Sequence, residues 1–187
     1  MKARFKTVLI TAFSTLTAFS SLTLTSCNND KCQAIACANS GICEEGRCTC
    51  AAGYEGYQCE TENRKRYLGI WYVSEDGTIS TAAQYPVSVE RVLPNAGGAT
   101  ELKITNFRNS FTQPVRAFVS ADTITIPVQT INGNTIQGRG VLIRNPASNG
   151  NYSGVYGQLT LRYSVKDNNE NVDNFGYGTG NPSIWNK

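Results

Sequence analysis

The sequence predicts a mainly β protein: a small disulfide-rich module, then an antiparallel domain of seven or eight strands closed as a β-barrel or, alternatively, folded as a β-sandwich. Three observations predict this. All seven cysteines lie between Cys27 and Cys59, a density that marks a local covalent staple and an oxidising compartment. Beyond Tyr67, apolar and polar residues alternate in short runs divided by Gly, Asn and Pro, the period of half-buried strands. No 3.6-residue period persists there long enough to predict a helix.

Residues 1–26 read as a signal peptide, with Lys2, Arg4 and Lys6 as its basic start and an uncharged stretch over 7–24 diluted by Ser and Thr. The hydroxyls make this a poor permanent anchor, and no positive stop-transfer cluster follows. Leu24-Thr25-Ser26-Cys27 resembles the bacterial lipobox, in which small residues precede a cysteine that is acylated and becomes the new N-terminus. The resemblance implies that Cys27 is lipidated, that 27–31 form the lipidated N-terminus, and that the membrane is a partner through this anchor. Multiple acyl chains would hold it durably, each buried methylene adding about 0.8 kcal/mol. Asn28, rather than Asp, after the cysteine implies the outer membrane or cell surface. One acylated cysteine leaves six to pair.

The net charge of +3 comes from Lys2, Arg4 and Lys6, so a processed chain is near neutral and no nucleic-acid partner is expected. The chain has no histidine, which removes Ser-His-Asp and Cys-His catalysis and the commonest zinc ligand. No enzyme activity, catalytic residue, metal or cofactor is expected. The acidic group Asp167, Glu170 and Asp173 has the composition of a weak calcium site, but a solvated loop is the ordinary reading.

From Cys32 the spacing is C-x4-C-x5-C-x4-C-x-C-x8-C, through Cys37, Cys43, Cys48, Cys50 and Cys59. Spacing alone leaves fifteen pairings. Cys37-Ala38-Asn39-Ser40-Gly41-Ile42-Cys43 and the run from Cys48 to Glu60, with its Gly53-Tyr54-Glu55-Gly56 core, resemble the EGF-like family. That resemblance implies Cys32 with Cys43, Cys37 with Cys48, and Cys50 with Cys59, in a module over 32–60. So short a segment cannot bury enough apolar area to fold unaided. In the chain-entropy model each of these loops contributes about 2.5 to 3 kcal/mol. Gly41, Gly53 and Gly56 are expected at positive backbone angles, and Tyr54 and Tyr57 over the last disulfide. A zinc cluster is disfavoured by the lack of a C-x2-C pair. Asn29, Asp30 and Gln33 supply only part of the calcium-binding EGF pattern.

Residues 61–66, with Arg64, Lys65 and Arg66, read as a solvated linker. The β domain is expected over 67–187, with strands at 67–74, 85–92, 101–106, 115–119, 123–128, 135–143 and 158–165, and a weaker eighth over 172–177. Asn132-Gly133 signals a hairpin. A long loop is expected over 145–157. The tail from 168 is rich in Asn and Gly where a last strand would be needed, so sequence leaves barrel closure open. Gly69-Ile70-Trp71 resembles the G-x-W motif of lipocalin-like barrels. This implies that Trp71 plugs the closed end and that an Arg from a late strand, best matched by Arg162, lies over it. The order of lipobox, EGF-like module and lipocalin-like domain, with the stretches 106–111 and 125–127, resembles a group of Gram-negative surface lipoproteins and implies architecture only.

The function this predicts is a membrane-anchored binding or adhesion module for protein or glycan. The candidate ligand-facing aromatics are Tyr152, Tyr156, Phe175, Tyr177 and Trp185, although strand-end aromatics more often cap a core, and that reading is favoured. The alternative is a carrier of a small apolar ligand inside the barrel.

Overall fold

The computed structural model describes residues 31–92, 98–144 and 156–187. The signal peptide, Cys27, Asn29, Asp30, Tyr152 and most of the 145–157 loop lie outside these residues, as do the side chains of Arg144 and Tyr156.

The cysteine module is two small hairpins, β1 (Ile42–Glu44) with β2 (Arg47–Thr49) and β3 (Tyr54–Glu55) with β4 (Thr61–Glu62). Disulfides join Cys32 to Cys43, Cys37 to Cys48 and Cys50 to Cys59, the pairs that the EGF-like resemblance implies. Asn39 and Ser40 turn through the left-handed region (φ 49° and 61°), and Asn39 Nδ2 donates to Cys59 O at 2.8 Å, tying the first turn to the last. Gly53 and Gly56 have the positive angles expected (φ 91° and 103°). Gly41 is needed for a different reason: a Cβ there would meet Cys59 Sγ at 2.8 Å. Tyr57 is 71% exposed, so it does not cover the last disulfide as expected.

The second unit is an eight-stranded antiparallel barrel. Its strands are β5 (Gly69–Glu75), β6 (Ala83–Arg91), β7 (Glu101–Thr105), β8 (Val115–Ser120), β9 (Thr123–Ile131), β10 (Asn134–Arg144) and β11 (Tyr156–Lys166), followed by a divided eighth, β12 (Val172–Phe175) and β13 (Ser183–Asn186). Both halves of the divided strand run antiparallel along the same partner: β12 opposite 164–166 and β13 opposite 158–161 of β11. Then β13 pairs with β5 through Ile184, Trp185 and Asn186, and β10 pairs with β11, which closes the ring. The sandwich alternative is thereby set aside. The Asn- and Gly-rich tail does supply the missing strand, in two four-residue pieces.

Alternation fixes the interior. Trp71 and Val73 of β5, Val87 and Val89 of β6, Leu102 and Ile104 of β7, Val115, Ala117 and Val119 of β8, Ile124 and Ile126 of β9, and Leu159, Leu161 and Tyr163 of β11 are all buried. Gly138 lies on the inward side of β10, where a Cβ would come within 2.5 Å of Tyr163 Cβ; a small residue makes room for a large one directly opposite it on the neighbouring strand β11. Asn132 and Gly133 (φ 50° and 80°) form the expected hairpin turn. Pro127 sits where the register between β9 and β10 slips, since Ile126 faces Gly138 while Gln129 faces Ile136. A proline cannot donate to a ladder and belongs at such a bulge. There the Gln129 side chain replaces backbone pairing, accepting from Arg116 N at 2.9 Å and donating to Arg116 O at 2.8 Å.

Candidate functional site

Three regions bring polar chemistry together: the joint between the units, one end of the barrel, and its outer wall.

The joint is built from the segment expected to be a solvated linker, and that expectation is overturned. Thr61 and Glu62 belong to β4, and a short 3-10 helix, Asn63–Arg66, leads straight toward β5. Asn63, Arg64 and Arg66 are buried. Arg64 Nη1 donates to Gly98 O at 3.1 Å and Glu101 O at 3.4 Å. Arg66 bridges Glu55 of the cysteine module and Asp122 of the β8–β9 turn, while Arg91 of β6 reaches back to Glu62 at 2.9 Å. Ala99 packs against Gly53 closely enough that a Cβ there would meet its methyl at 2.8 Å. Burial raises the Glu62 pKa, but Arg64 and Arg91 outweigh it and hold the carboxyl below its ordinary range. A charged run reads as solvated only while its partners, distant in sequence, stay unseen.

At one barrel end Glu75, the last residue of β5, points inward and is buried. Tyr85 Oη donates to Glu75 Oε1 at 2.5 Å. Tyr163 Oη and Ser183 Oγ donate to Oε2 at 2.8 Å and 2.7 Å. Trp185 Nε1 donates in turn to Ser183 Oγ at 2.8 Å. Burial first, and the Glu75 charge second, push both tyrosine hydroxyls far above their ordinary range, so they remain donors. Phe107 packs edge-on against Tyr163 (4.9 Å between centroids), and Phe175 stacks on Tyr163 at 4.3 Å. Arg108 lies over the Phe175 ring and binds Asp173 at 2.8 Å. This geometry is a brace: one carboxylate ties β5, β6, β11 and β13 across the seam. An open groove of about 410 Å³ lies beside it, bordered by Asp76, Gln84, Asn181 and Pro182. Single-sequence reasoning missed Glu75, because a lone acid at a strand end carries no signal until the fold supplies its donors.

The predicted site residues divide. Trp71 is fully buried, and its Nε1 donates to Tyr67 O at 2.7 Å. Gly69 opens β5 at φ 112°. Arg162 is not over Trp71. Leu161 and Tyr163 point inward, so parity turns Arg162 outward, where it is exposed and faces Arg139 across the ladder. Lys187 takes the expected place, with Nζ 5.0 Å from the Trp71 ring centre. Phe175 and Trp185 are core residues at 1% exposure, as the favoured reading of strand-end aromatics has it; Tyr177 is exposed. The acidic tail group is dispersed: Asp173 is buried against Arg108, Glu170 pairs with Lys166, and Asp167 accepts from Asn169 and Asn171. Among the described residues no group of three His, Cys, Asp or Glu side chains is placed to hold a metal.

On the outer wall Tyr72 is 65% exposed, paired with Pro86 on one side and Asn186 on the other. These residues border a shallow groove of about 390 Å³ with Ser74 and Gln84.

Residues 35–62 match the Teneurin-like EGF domain family. No curated protein matches the chain. The EGF-like module, with its three disulfides, is of an extracellular type and marks an exported protein. Joined to a barrel, it is consistent with a binding or adhesion module.

Proposed function

We propose that this chain is a membrane-tethered, extracytoplasmic lipoprotein that binds a protein or glycan ligand with the outer wall of its barrel. The supporting observation is where the aromatic side chains go. Trp71, Trp185, Tyr67, Tyr163, Phe107 and Phe175, each at 1% exposure or less, occupy the interior. A barrel of eight strands has room for packed side chains or for one small ligand, and side chains of this size leave the wall as the place to meet a partner. Tyr72, with Pro86, Gln84 and Asn186 around it, offers a flat ring ringed by amides there, the chemistry that stacks on a sugar face or a peptide plane.

The anchor rests on the lipobox-like run ending at Cys27, and outer-membrane sorting on Asn28. Acylation at Cys27 would put the EGF-like module between membrane and barrel, and the buried joint would make the two move together. Two experiments test this. Palmitate labelling should mark the mature chain and fail in Cys27→Ala. Cells displaying the chain should lose attachment to a glycan or protein array when Tyr72→Ala is introduced, whereas an apolar ligand released from purified protein would favour carriage instead.

A further inference from the structure

We propose that Arg139 and Arg162 form an oxyanion clamp for the acidic group of an oligosaccharide whose remaining rings run along the wall to Tyr72. The inference rests on the outer-wall reading above and names its ligand class.

The two arginines are directly opposite in the β10–β11 ladder, and both are exposed. Like charges set opposite each other weaken a sheet, so stability does not account for the pair. The other arginines of the barrel and the joint whose side chains are described are neutralised: Arg64 and Arg91 by Glu62, Arg66 by Glu55 and Asp122, Arg108 by Asp173, and Arg116 by Glu101. Among the described residues Arg139 and Arg162 have no such carboxylate. Their ladder neighbours on the same face are Thr125, beside Arg139, and Val141 opposite Thr160 one pair further on. No acid faces them there. Two planar forks with free donors match one carboxylate or sulfate, each fork able to bind it bidentately.

The same face continues toward Tyr72. Arg162, Thr160 and Gln158 alternate outward along β11; four residues span about 13 Å at the usual strand rise. Gln158 Nε2 donates to Asn186 Oδ1 at 3.3 Å, and Asn186 pairs with Tyr72. Two strand spacings add about 10 Å across the sheet. An anion clamp, a hydroxyl, two amides and an exposed aromatic ring therefore follow one another over the length of a short oligosaccharide. Two cations give only a weak pull toward a diffuse anionic bilayer, and the intervening neutral groups suit sugar hydroxyls.

The test is calorimetric titration of the whole, disulfide-intact chain with a uronic-acid tetrasaccharide, a sulfated tetrasaccharide and a neutral tetrasaccharide. Vesicles containing phosphatidylserine and an acidic peptide are run beside them. The expected result is that one acidic sugar binds at least tenfold more tightly than the neutral one, and the two acidic probes tell carboxylate from sulfate. Arg139→Gln and Arg162→Gln should each weaken it at least tenfold while the melting temperature holds or rises. Tyr72→Ala should weaken acidic and neutral sugars alike. Equal affinity for acidic and neutral sugars, or binding to vesicles or peptide alone, overturns the clamp. Binding of a neutral glycan that Tyr72→Ala abolishes and the arginine variants do not affect overturns the clamp and leaves the outer-wall reading standing. Sugar binding that Tyr72→Ala leaves untouched overturns the outer-wall reading and this inference with it.

Discussion

Lys187 Nζ sits 5.0 Å from the centre of the Trp71 ring and donates to Leu68 O at 2.5 Å, so the end of the divided strand is locked onto the start of the barrel. A cation over an aromatic face at a partly exposed site contributes about 0.5–1 kcal/mol. Lys187→Met should therefore lower stability by about 1 kcal/mol, with Trp71 fluorescence shifting as the ring loses its cover. Denaturant titration followed by fluorescence reads both, and an unchanged midpoint would remove the lock.

Glu75→Ala should be far more costly. It deletes one acceptor and leaves the hydroxyls of Tyr85, Tyr163 and Ser183 without it, each orphaned buried donor costing about 1–3 kcal/mol. A loss of more than about 3 kcal/mol is expected in chemical denaturation, with Glu75→Gln milder because an amide oxygen still accepts. A loss below about 1 kcal/mol would show that the brace is not structural.

Alkaline pH should unfold the barrel through the same hydroxyls. Tyr85 and Tyr163 are raised in the folded chain, whereas an unfolded tyrosine titrates near pH 10. Above that the folded state holds protons that the unfolded state has released, so stability is fully present below about pH 10 and falls as pH rises, by up to about 1.4 kcal/mol per pH unit for each tyrosine. Burial lowers the Lys187 pKa, which works the other way up to about pH 10.5, yet one half-buried amine opposes two buried phenols. Denaturation midpoints measured from pH 8 to 11.5 should decline, and less steeply in Tyr85→Phe.

The joint should resist protease. Trypsin needs Arg64, Lys65 or Arg66 in an extended, accessible segment; all three lie in a short helix, and the two arginines that flank the exposed Lys65 are buried. Cleavage there should be slow in the parent chain and fast in Arg66→Ala, which leaves Glu55 and Asp122 without their shared cation. Mass mapping of timed digests decides it; equal rates would return this segment to a solvated linker.

Reduction should separate the units. The described barrel contains no cysteine, and each EGF-like disulfide is worth about 2–4 kcal/mol to a module too small to fold alone. With reductant the module should melt while the near-ultraviolet dichroism of Trp71 and Trp185 persists. Loss of that signal would mean that the barrel depends on the module across Arg66.

Much of this architecture was legible in the residues. The alternation of Leu102 with Ile104, and of Leu159, Leu161, Tyr163 and Val165, fixed strand positions and facing because hydrophobic burial has period two in a strand. Its own logic also turned Arg162 outward, against the family resemblance. What stayed hidden was set by partners distant in the chain. The eighth strand read only weakly over 172–177, and its second half, β13, stayed unread, because its inward positions include Asp173 and Ser183, polar residues acceptable only beside Arg108 and Glu75. The linker misled for the same reason, since Arg66 finds one acid on each side of it.

Because β13 is the neighbour through which β5 joins the ring, the first and the final strands of this domain must find each other after everything between them has been synthesised. Non-local pairing of that kind is slow to form. A partly emerged chain therefore exposes an open sheet with no way to shut, and the order of its strands delays assembly until the segment through Asn186 is free.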